Sequence, residues 1–403
     1  MTKDSDFKKL VRERMAATGQ SYTAARAAIY RPAAAADPTL TRRAFGLKTW
    51  YTAAFDGGWS TAAGTAGELL FRQVAGRGMS ALVYLENGAG FRLRPDESGA
   101  ARPAYATPEC DSIVELVAAQ RAGEEIVARA AVQAGESLTG EDPAAAPTMA
   151  AVATAQSESY LVAAPVAAES YRRLLEPFLA TRWVCGGRRA DGSAGAVPAP
   201  WAVIAAKSFA DEGRYRRLKI AVADPSPSEL ATFVRVAATE QVLRLAESAS
   251  GVSVGVSVDH GRDAPALDAV RIQRAYLAAA RRARYRRPED DIILDAWQAA
   301  LDVREDARER AAESHPDSPI VTAAQIEAAV DRPPQTTRAR LRGLFIKTAK
   351  DYRRNFTVDW THLKLHDGAS RTVLCRDPLN AEVESAERLI ASISGPPVDR
   401  PGS

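Results

Sequence analysis

The stretch from Thr322 to Leu344 constrains the fold most, because its pattern predicts two short helices joined by a tight turn. Ile326 and Val330 fall on one apolar face of the first helix. The second helix carries polar and cationic side chains of the types that bind phosphates and base edges: Gln335, Thr336, Thr337, Arg338, Arg340 and Arg342. This segment therefore indicates a nucleic-acid partner.

The turn between the two helices leaves an alternative open. Asp331 stands where such turns usually have glycine, and Pro333 and Pro334 follow it. Aspartate tolerates a positive φ, and Pro334 suits the first turn of a helix, so the turn is physically acceptable. The same pattern also occurs in all-α domains that never bind nucleic acid.

The residues after the second helix extend the pattern. Lys347 continues the helix, and alternating apolar residues around 363–365 and 372–375 flank a turn at 366–370, which predicts a β-hairpin. Together, residues 291–376 resemble a winged helix-turn-helix. The resemblance implies that the partner is double-stranded DNA, with 335–342 in the major groove and the wing near Arg371.

A second basic segment lies at 271–287, where seven arginines and two tyrosines occur without an acidic residue. It predicts a helix that follows phosphates, with Arg281, Arg282 and Arg284 as the contacts. The alternative is a solvated helix face that pairs with the acidic residues at 289–291 and 302–313.

The N-terminal residues 6–30 predict a helical hairpin, in which Gly19 ends the first helix and Ser21 begins the second. They resemble a short helical module that heads assorted bacterial proteins.

The clearest strand signal is at 81–94, where alternating apolar residues flank Asn87 and Gly88. Strands are also predicted at 201–204, 215–222 and 251–259, with a helix running to about 248. The fold class is therefore mixed α/β and helix-rich, with a small α/β sandwich-like central domain before the winged-helix-like domain. The predicted segments are an N-terminal helical hairpin and linker (1–40), an α+β domain (41–133), a linker poor in aromatics (134–159), an α/β domain (160–290), the winged-helix-like domain (291–380) and a tail (381–403).

Composition bounds the cellular context. The net charge is only +3, so any basic surface must be local. Three widely spaced cysteines, Cys110, Cys185 and Cys375, form no disulfide framework, which predicts a cytoplasmic protein. Arginine outnumbers lysine and alanine is abundant, as is typical of GC-rich bacterial genomes. No apolar run approaches a membrane span, so no membrane is expected.

The usual catalytic signatures are absent from the sequence. His362 and His366 lie four apart in a predicted hairpin without a glutamate between them, and the Asp259-His260 pair is typical of local hydrogen bonding. We expect no catalytic residue, no metal and no cofactor. The sequence predicts a DNA-binding regulator or a replication or maintenance protein, with a homodimer through the central α/β domain as an option. An interaction or scaffold protein is the second interpretation, and an enzyme with an unfamiliar site is the third.

Overall fold

A computed structural model of the chain gives the positions of most residues beyond 41. It describes residues 42–56, 63–75, 81–95, 101–139, 147–163, 166, 168–185, 202–205, 215–222, 225–226, 228–248, 266–283, 290–309, 319–333, 336–366, 370–375, 377–379 and 383–393. All of them belong to one compact unit, Leu40–Ser403.

A seven-stranded antiparallel sheet organises this unit, and its strand order is β2-β3-β4-β1-β5-β7-β6. The strands are β1 (Phe45–Phe55), β2 (Leu82–Tyr84), β3 (Gly90–Pro95), β4 (Ala101–Ala106), β5 (Met149–Ala163), β6 (Ala202–Ala205) and β7 (Tyr215–Val222). The two long central strands, β1 and β5, pair along the whole of β1, with a register shift between Trp50 and Tyr51. This shift is a local irregularity of the kind that bends a strand.

The two faces of the sheet differ because successive side chains on a strand point to opposite sides. On β1, Phe45, Leu47 and Thr49 are buried, whereas Lys48 and Trp50 are only partly buried. The buried face packs against helices, and the other face is available to form a site.

Helices pack against the buried face or against one another. They are α1 (Ala63–Ala75), α2 (Ile113–Thr139), α3 (Ala168–Thr181), α4 (Glu229–Glu247), α5 (Ala266–Arg281), α6 (Asp290–Glu309) and α7 (Ala323–Asp331). Phe178 makes edge-to-face contacts with Tyr276 and Trp297, at centroid distances of 5.4 and 5.9 Å. Burying each such side chain stabilises the fold by roughly 1.5–3 kcal/mol.

Helix α4 is buried along almost its whole length, so its polar side chains need partners inside the protein. Arg235 of α4 and Arg182 lie 2.9 and 2.8 Å from the carboxylate of Glu158 on β5. Burial alone would raise the pKa of Glu158, but the two guanidinium groups lower it below its usual range. Glu247 at the end of α4 likewise accepts two hydrogen bonds from the fully buried Arg43.

A smaller module completes the unit. Helix α8 (Thr337–Asp351) and helix α9 (Val383–Ile393) pack with a three-stranded antiparallel sheet of β8 (Phe356–Val358), β9 (His362–Leu365) and β10 (Arg371–Leu374). Their shared core includes Leu341, Phe345, Leu363, Leu389 and Ile393.

Several predicted elements are confirmed. The hairpin around Asn87 and Gly88 forms between β2 and β3, and the helices α7 and α8 follow the predicted helix–turn–helix pattern. Strands β9 and β10 form the predicted C-terminal hairpin. Thr322 begins α7 with a capping box that it shares with Gln325.

The predicted fold class is nevertheless wrong. Strands β6 and β7 extend the same sheet as the N-terminal strands and do not form a sandwich of their own. The C-terminal module is not a winged-helix DNA-binding domain, because α8 is packed on both sides: its buried residues include Arg338, Ala339, Arg342 and Gly343 as well as its apolar ones.

The segment 134–159, predicted as a linker, contains the last turns of α2 and most of the central strand β5. Its small residues suit close packing between strands, which composition alone does not distinguish from a linker. The predicted N-terminal hairpin at 6–30 and the strand at 251–259 lie outside the described residues. None of the described helices is long and apolar enough to cross a membrane.

Candidate functional site: a cationic pocket

A pocket of about 300 Å³ lies on the face of the sheet that the helices leave uncovered. Its floor is made by small residues on the central strands, namely Gly46 on β1, Ala104 and Ala106 on β4, and Ser159 on β5. Because side chains alternate along a strand, these residues all point to the same face. Their small size leaves the hollow.

The walls of the pocket are cationic. Arg92 and Arg94 lie two apart on β3, and Arg217 and Lys219 lie two apart on β7, while Lys48 rises from β1. Strands β3 and β7 are four strand spacings apart, about 19 Å along the sheet. Long cationic side chains on these two flanking strands therefore border a floor of small residues.

These cations perturb one another. Burial and the neighbouring Lys219, Arg92, Arg217 and Arg94 lower the pKa of Lys48 to about 7. Burial, Arg217, Arg94 and Arg92 also lower the pKa of Lys219. The Nζ of Lys48 lies 4.4 Å from the centre of the Trp50 ring. A group of like charges held together in this way is costly until an anion neutralises it.

Glu109 is the only carboxylate among the described residues that line the pocket. Arg338 on α8 donates to its Oε1 at 2.5 and 3.1 Å, and Arg342, one turn later, lies 3.3 Å from its Oε2. Burial alone would raise the pKa of Glu109, but these two arginines lower it below its usual range. Both carboxylate oxygens are therefore occupied by cations from α8.

Arg342 also contacts Trp360, an aromatic side chain that lines the pocket. Its guanidinium group lies 5.0 Å from the ring centre of Tyr84 and 4.8 Å from that of Trp360, and it donates to the carbonyl of Gly88 at 3.0 Å. Tyr84 and Trp360 themselves meet edge to face at 5.2 Å. Trp360 therefore presents a fixed aromatic surface to the pocket.

The arrangement suits an anion with several charges, because arginine and lysine donate charge-assisted hydrogen bonds to phosphate oxygens. A divalent cation does not fit the described residues. Such ions need carboxylate oxygens, and the described part of the chain contains no group of three or more His, Cys, Asp or Glu residues placed to hold one.

The structure scatters the residues that were predicted to bind nucleic acid. Arg338 and Arg342 are buried against Glu109, and Thr336 is fully buried. Thr337 donates to the carbonyl of Leu379, and Arg340 lies 3.8 Å from Glu387.

The remaining members of the predicted set lie elsewhere. Lys347 and Arg371 are exposed on the C-terminal module, where Arg371 donates to Ser392. On α5, Arg281 pairs with Asp295 at 2.9 Å, and Arg282 is exposed just beyond the end of the helix. Gln335 and Arg284 lie outside the described residues. Only Arg338 lines the pocket.

Comparison with known proteins gives the family. The family model described as Pup-ligase protein matches residues 20–196, 203–317 and 308–364, which is most of the chain. The chain belongs to the Pup-ligase family.

Curated relatives of this chain carry the same family name. The Pup–protein ligase of Nocardioides sp. is 31% identical over 459 positions, which cover 87% of this chain and 99% of the relative. That of Mycobacteroides abscessus is 30% identical over 462 positions, covering 88% and 100%.

Two solved structures show the same fold. The complex between the prokaryotic ubiquitin-like protein Pup and its ligase PafA matches with a TM-score of 0.73 at 23% identity, covering 89% of this chain and 92% of that one. The Pup ligase PafA in complex with ADP matches with a TM-score of 0.62 at 21% identity, covering 84% and 96%.

Family membership corrects the predicted function. The prediction of a DNA-binding protein with double-stranded DNA as its partner is wrong, and so is the resemblance to a winged helix-turn-helix. The scaffold interpretation and the preference for a non-enzyme are also wrong, because the family is named for a ligase.

Sequence reasoning missed the pocket although its signal is present. Arg92 with Arg94, and Arg217 with Lys219, are pairs at a spacing of two within predicted strands, which places each pair on one face. Only the strand order shows that the two faces border one hollow. The sequence does not give that order.

Proposed function

We propose that this chain acts as a Pup–protein ligase, joining Pup to other proteins. The observation that carries the proposal is the match to the Pup-ligase family over most of the chain, together with relatives of that name that are covered at 99% and 100% of their length.

We assign an adenine nucleotide to the cationic pocket. A structure of the same fold was solved with ADP. In this chain, Lys48, Arg92, Arg94, Arg217 and Lys219 suit the phosphates, and the exposed surface of Trp360 suits the base. A pocket of about 300 Å³ is at the lower end of the range for small-molecule sites.

The test is a ligation assay with the purified full chain. The chain is incubated with Pup, ATP and a mixture of acceptor proteins, and covalent adducts are identified by mass spectrometry. We expect Pup attached to acceptor proteins in a reaction that needs ATP.

A matched pair of variants links the activity to the pocket. The change Arg217→Gln removes a pocket cation and should reduce adduct formation. Arg388→Gln removes an exposed arginine of helix α9 that pairs with the exposed Glu384 and donates to Ser385, and it should leave adduct formation unchanged. No adduct with any acceptor, from a chain whose folding is verified, would remove the ligase proposal.

We also propose a cytoplasmic location. The support is chemical: Cys110, Cys185 and Cys375 are buried cysteines outside any disulfide, which suits a reducing compartment. Fractionation of cells that express a tagged chain tests this directly.

A further inference from the structure

We infer that the pocket holds the phosphates of its ligand directly on its own cations, without a bridging divalent metal ion. The inference rests on the proposed nucleotide site and concerns how that site recognises phosphate.

The described residues that line the pocket carry mostly positive charge. Lys48, Arg92, Arg94, Arg217 and Lys219 face the hollow from three strands, against a single carboxylate. A doubly charged metal ion brought into such a place meets repulsion from the cations on all three strands. A phosphate chain meets attraction from the same groups.

The carboxylate of Glu109 is not free to bind a metal ion. Glu109 already receives Arg338 on one oxygen and Arg342 on the other. Those arginines are themselves 3% and 1% exposed and also donate to the carbonyls of Cys375 and Gly88. Using Glu109 as a metal ligand would break this network and leave two buried cations without their carboxylate.

The cations of the pocket can bind and neutralise phosphate oxygens in place of a metal ion. A magnesium ion at a nucleotide normally bridges phosphate oxygens and neutralises their charge. Guanidinium groups can bind the same oxygens in a bidentate manner, and lysine adds a point charge. Strands β3 and β7 supply such groups from opposite walls, so that several phosphate oxygens can be bound at once.

The experiment is isothermal titration calorimetry of the full chain with two probes, ADP and inorganic tripolyphosphate. Each is titrated in EDTA and again in saturating Mg²⁺. We expect both probes to bind in EDTA, and Mg²⁺ to leave the affinity unchanged or to weaken it, since a magnesium complex of the probe carries less negative charge. Affinity for both probes that is about 10-fold or more weaker in EDTA would overturn the inference.

Variants tie the binding to the walls. Arg94→Gln and Lys219→Gln should each weaken the binding of both probes in EDTA by roughly 10-fold or more. The Arg388→Gln variant should bind as the unchanged chain does. Since Arg94 is exposed and Lys219 is partly buried among like charges, neither change removes a contact on which folding depends. Unchanged affinity in both pocket variants would overturn the inference.

The two probes separate this inference from the proposed function. Metal-free binding of tripolyphosphate without binding of ADP would support the cationic phosphate site and remove the adenine nucleotide. Binding of ADP only with Mg²⁺ would support the nucleotide site and overturn the present inference. A short poly-glutamate peptide that binds more tightly than either probe would overturn the assignment to phosphate.

Discussion

Lys48 is a side chain of the pocket whose surroundings bring its pKa close to neutral pH. Its pKa is lowered to about 7 by burial and by Lys219, Arg92, Arg217 and Arg94. Glu109, the carboxylate among the described residues of the same pocket, is held by Arg338 and Arg342. A bound phosphate adds negative charge and should therefore raise the pKa of Lys48.

This linkage predicts how affinity depends on pH. Protonated Lys48 favours the anion, so the affinity for ADP should be greatest near neutral pH, where the phosphates are ionised and Lys48 is still partly protonated. It should fall as pH rises through about 7.5 to 9, where the phosphates are already ionised. Calorimetric titrations of ADP across that range measure the slope.

The matched variant is Lys48→Met, which keeps the length of the side chain and removes the titrating amine. It should bind more weakly at pH 7 and lose most of the slope. A slope that persists in this variant would assign the proton to another group.

Glu109 gives a prediction about stability. Glu109→Gln leaves the buried Arg338 and Arg342 without their carboxylate, which should destabilise the fold by about 3 kcal/mol at pH 7. Because the pKa of Glu109 is lowered in the folded state, its contribution is complete above its ordinary value of 4.5 and is lost as pH falls through the folded value.

Urea denaturation of both proteins, repeated at neutral and acidic pH, checks this prediction. The difference between them should shrink below about pH 4.5. Glu384→Gln, on an exposed helical pair, serves as the control and should change stability by less than about 0.5 kcal/mol. Equal stability of the Glu109→Gln variant and the unchanged chain at pH 7 would contradict the prediction.

At the scale of elements, the hairpin between β2 and β3 and the helix α8 fit closely together. Gly88 has a φ of +79° and is the last residue of a turn that begins at Leu85. Its N–H donates to the carbonyl of Leu85 and closes that turn. The loop is therefore a three-residue hairpin with a left-handed glycine, where the sequence had predicted a two-residue turn. On the facing helix, Gly343 has no room for a side chain: a Cβ there would lie 2.1 Å from the carbonyl oxygen of Glu86.

Gly343→Ala tests this contact. Alanine favours a helix by about 1 kcal/mol over glycine, but the clash is with backbone and must move the hairpin or the helix. We expect a net loss of about 1–3 kcal/mol and weaker binding of the pocket's ligand, because Arg338 and Arg342 lie on the same helix. Thermal and urea unfolding measure the first effect. Lys347→Ala, on the exposed side of α8, should change neither quantity, and a stabilised Gly343→Ala variant would show that the contact is loose.

Local patterns predicted elements well wherever one signal dominated. Asn87 and Gly88 flanked by alternating apolar residues predicted the hairpin, and the spacing of Ile326 and Val330 predicted helix α7. Strand β5 was missed because its first half is built mainly from alanine, with little apolar periodicity, and forms a strand by pairing with β1. Tertiary pairing decided the structure of that segment, and the sequence shows no sign of that pairing.

At the scale of the whole molecule, the pocket lies where the large sheet meets the C-terminal module: Lys48 and Arg217 come from the sheet, Trp360 and Arg338 from the module. A ligand that binds only the folded chain should therefore stabilise it. The expected gain is about 2.7 kcal/mol at a ligand concentration of 100 times the Kd.

Thermal unfolding of the full chain with tripolyphosphate, compared with sodium chloride at the same ionic strength, measures this gain. We expect a higher Tm in tripolyphosphate only, and a smaller shift for Arg94→Gln than for Arg388→Gln. Equal shifts in both salts would mean that general screening, and not a site, is responsible.

The site was the part that sequence reasoning missed, for a physical reason. Arg338 and Arg342 have the residue types of a nucleic-acid contact, but a helix carries the same side chains whether it faces solvent or another element. Their carboxylate partner, Glu109, is separated from them by more than two hundred residues. Long-range partners of this kind are invisible to periodicity, so the arginines of α8 were assigned to an external anion when an internal one neutralises them.

The shape and the charge of the pocket come from different strands, which has an evolutionary consequence. The hollow exists because Gly46, Ala104, Ala106 and Ser159 are small. Its positive charge comes mainly from the flanking strands β3 and β7. A substitution of one of these four small residues would reshape the pocket without altering its charge. A substitution of a cation on β3 or β7 would alter the charge of the pocket without reshaping its floor. Descendants of this chain could thus change which molecule they accept and how strongly they attract it by independent mutational routes.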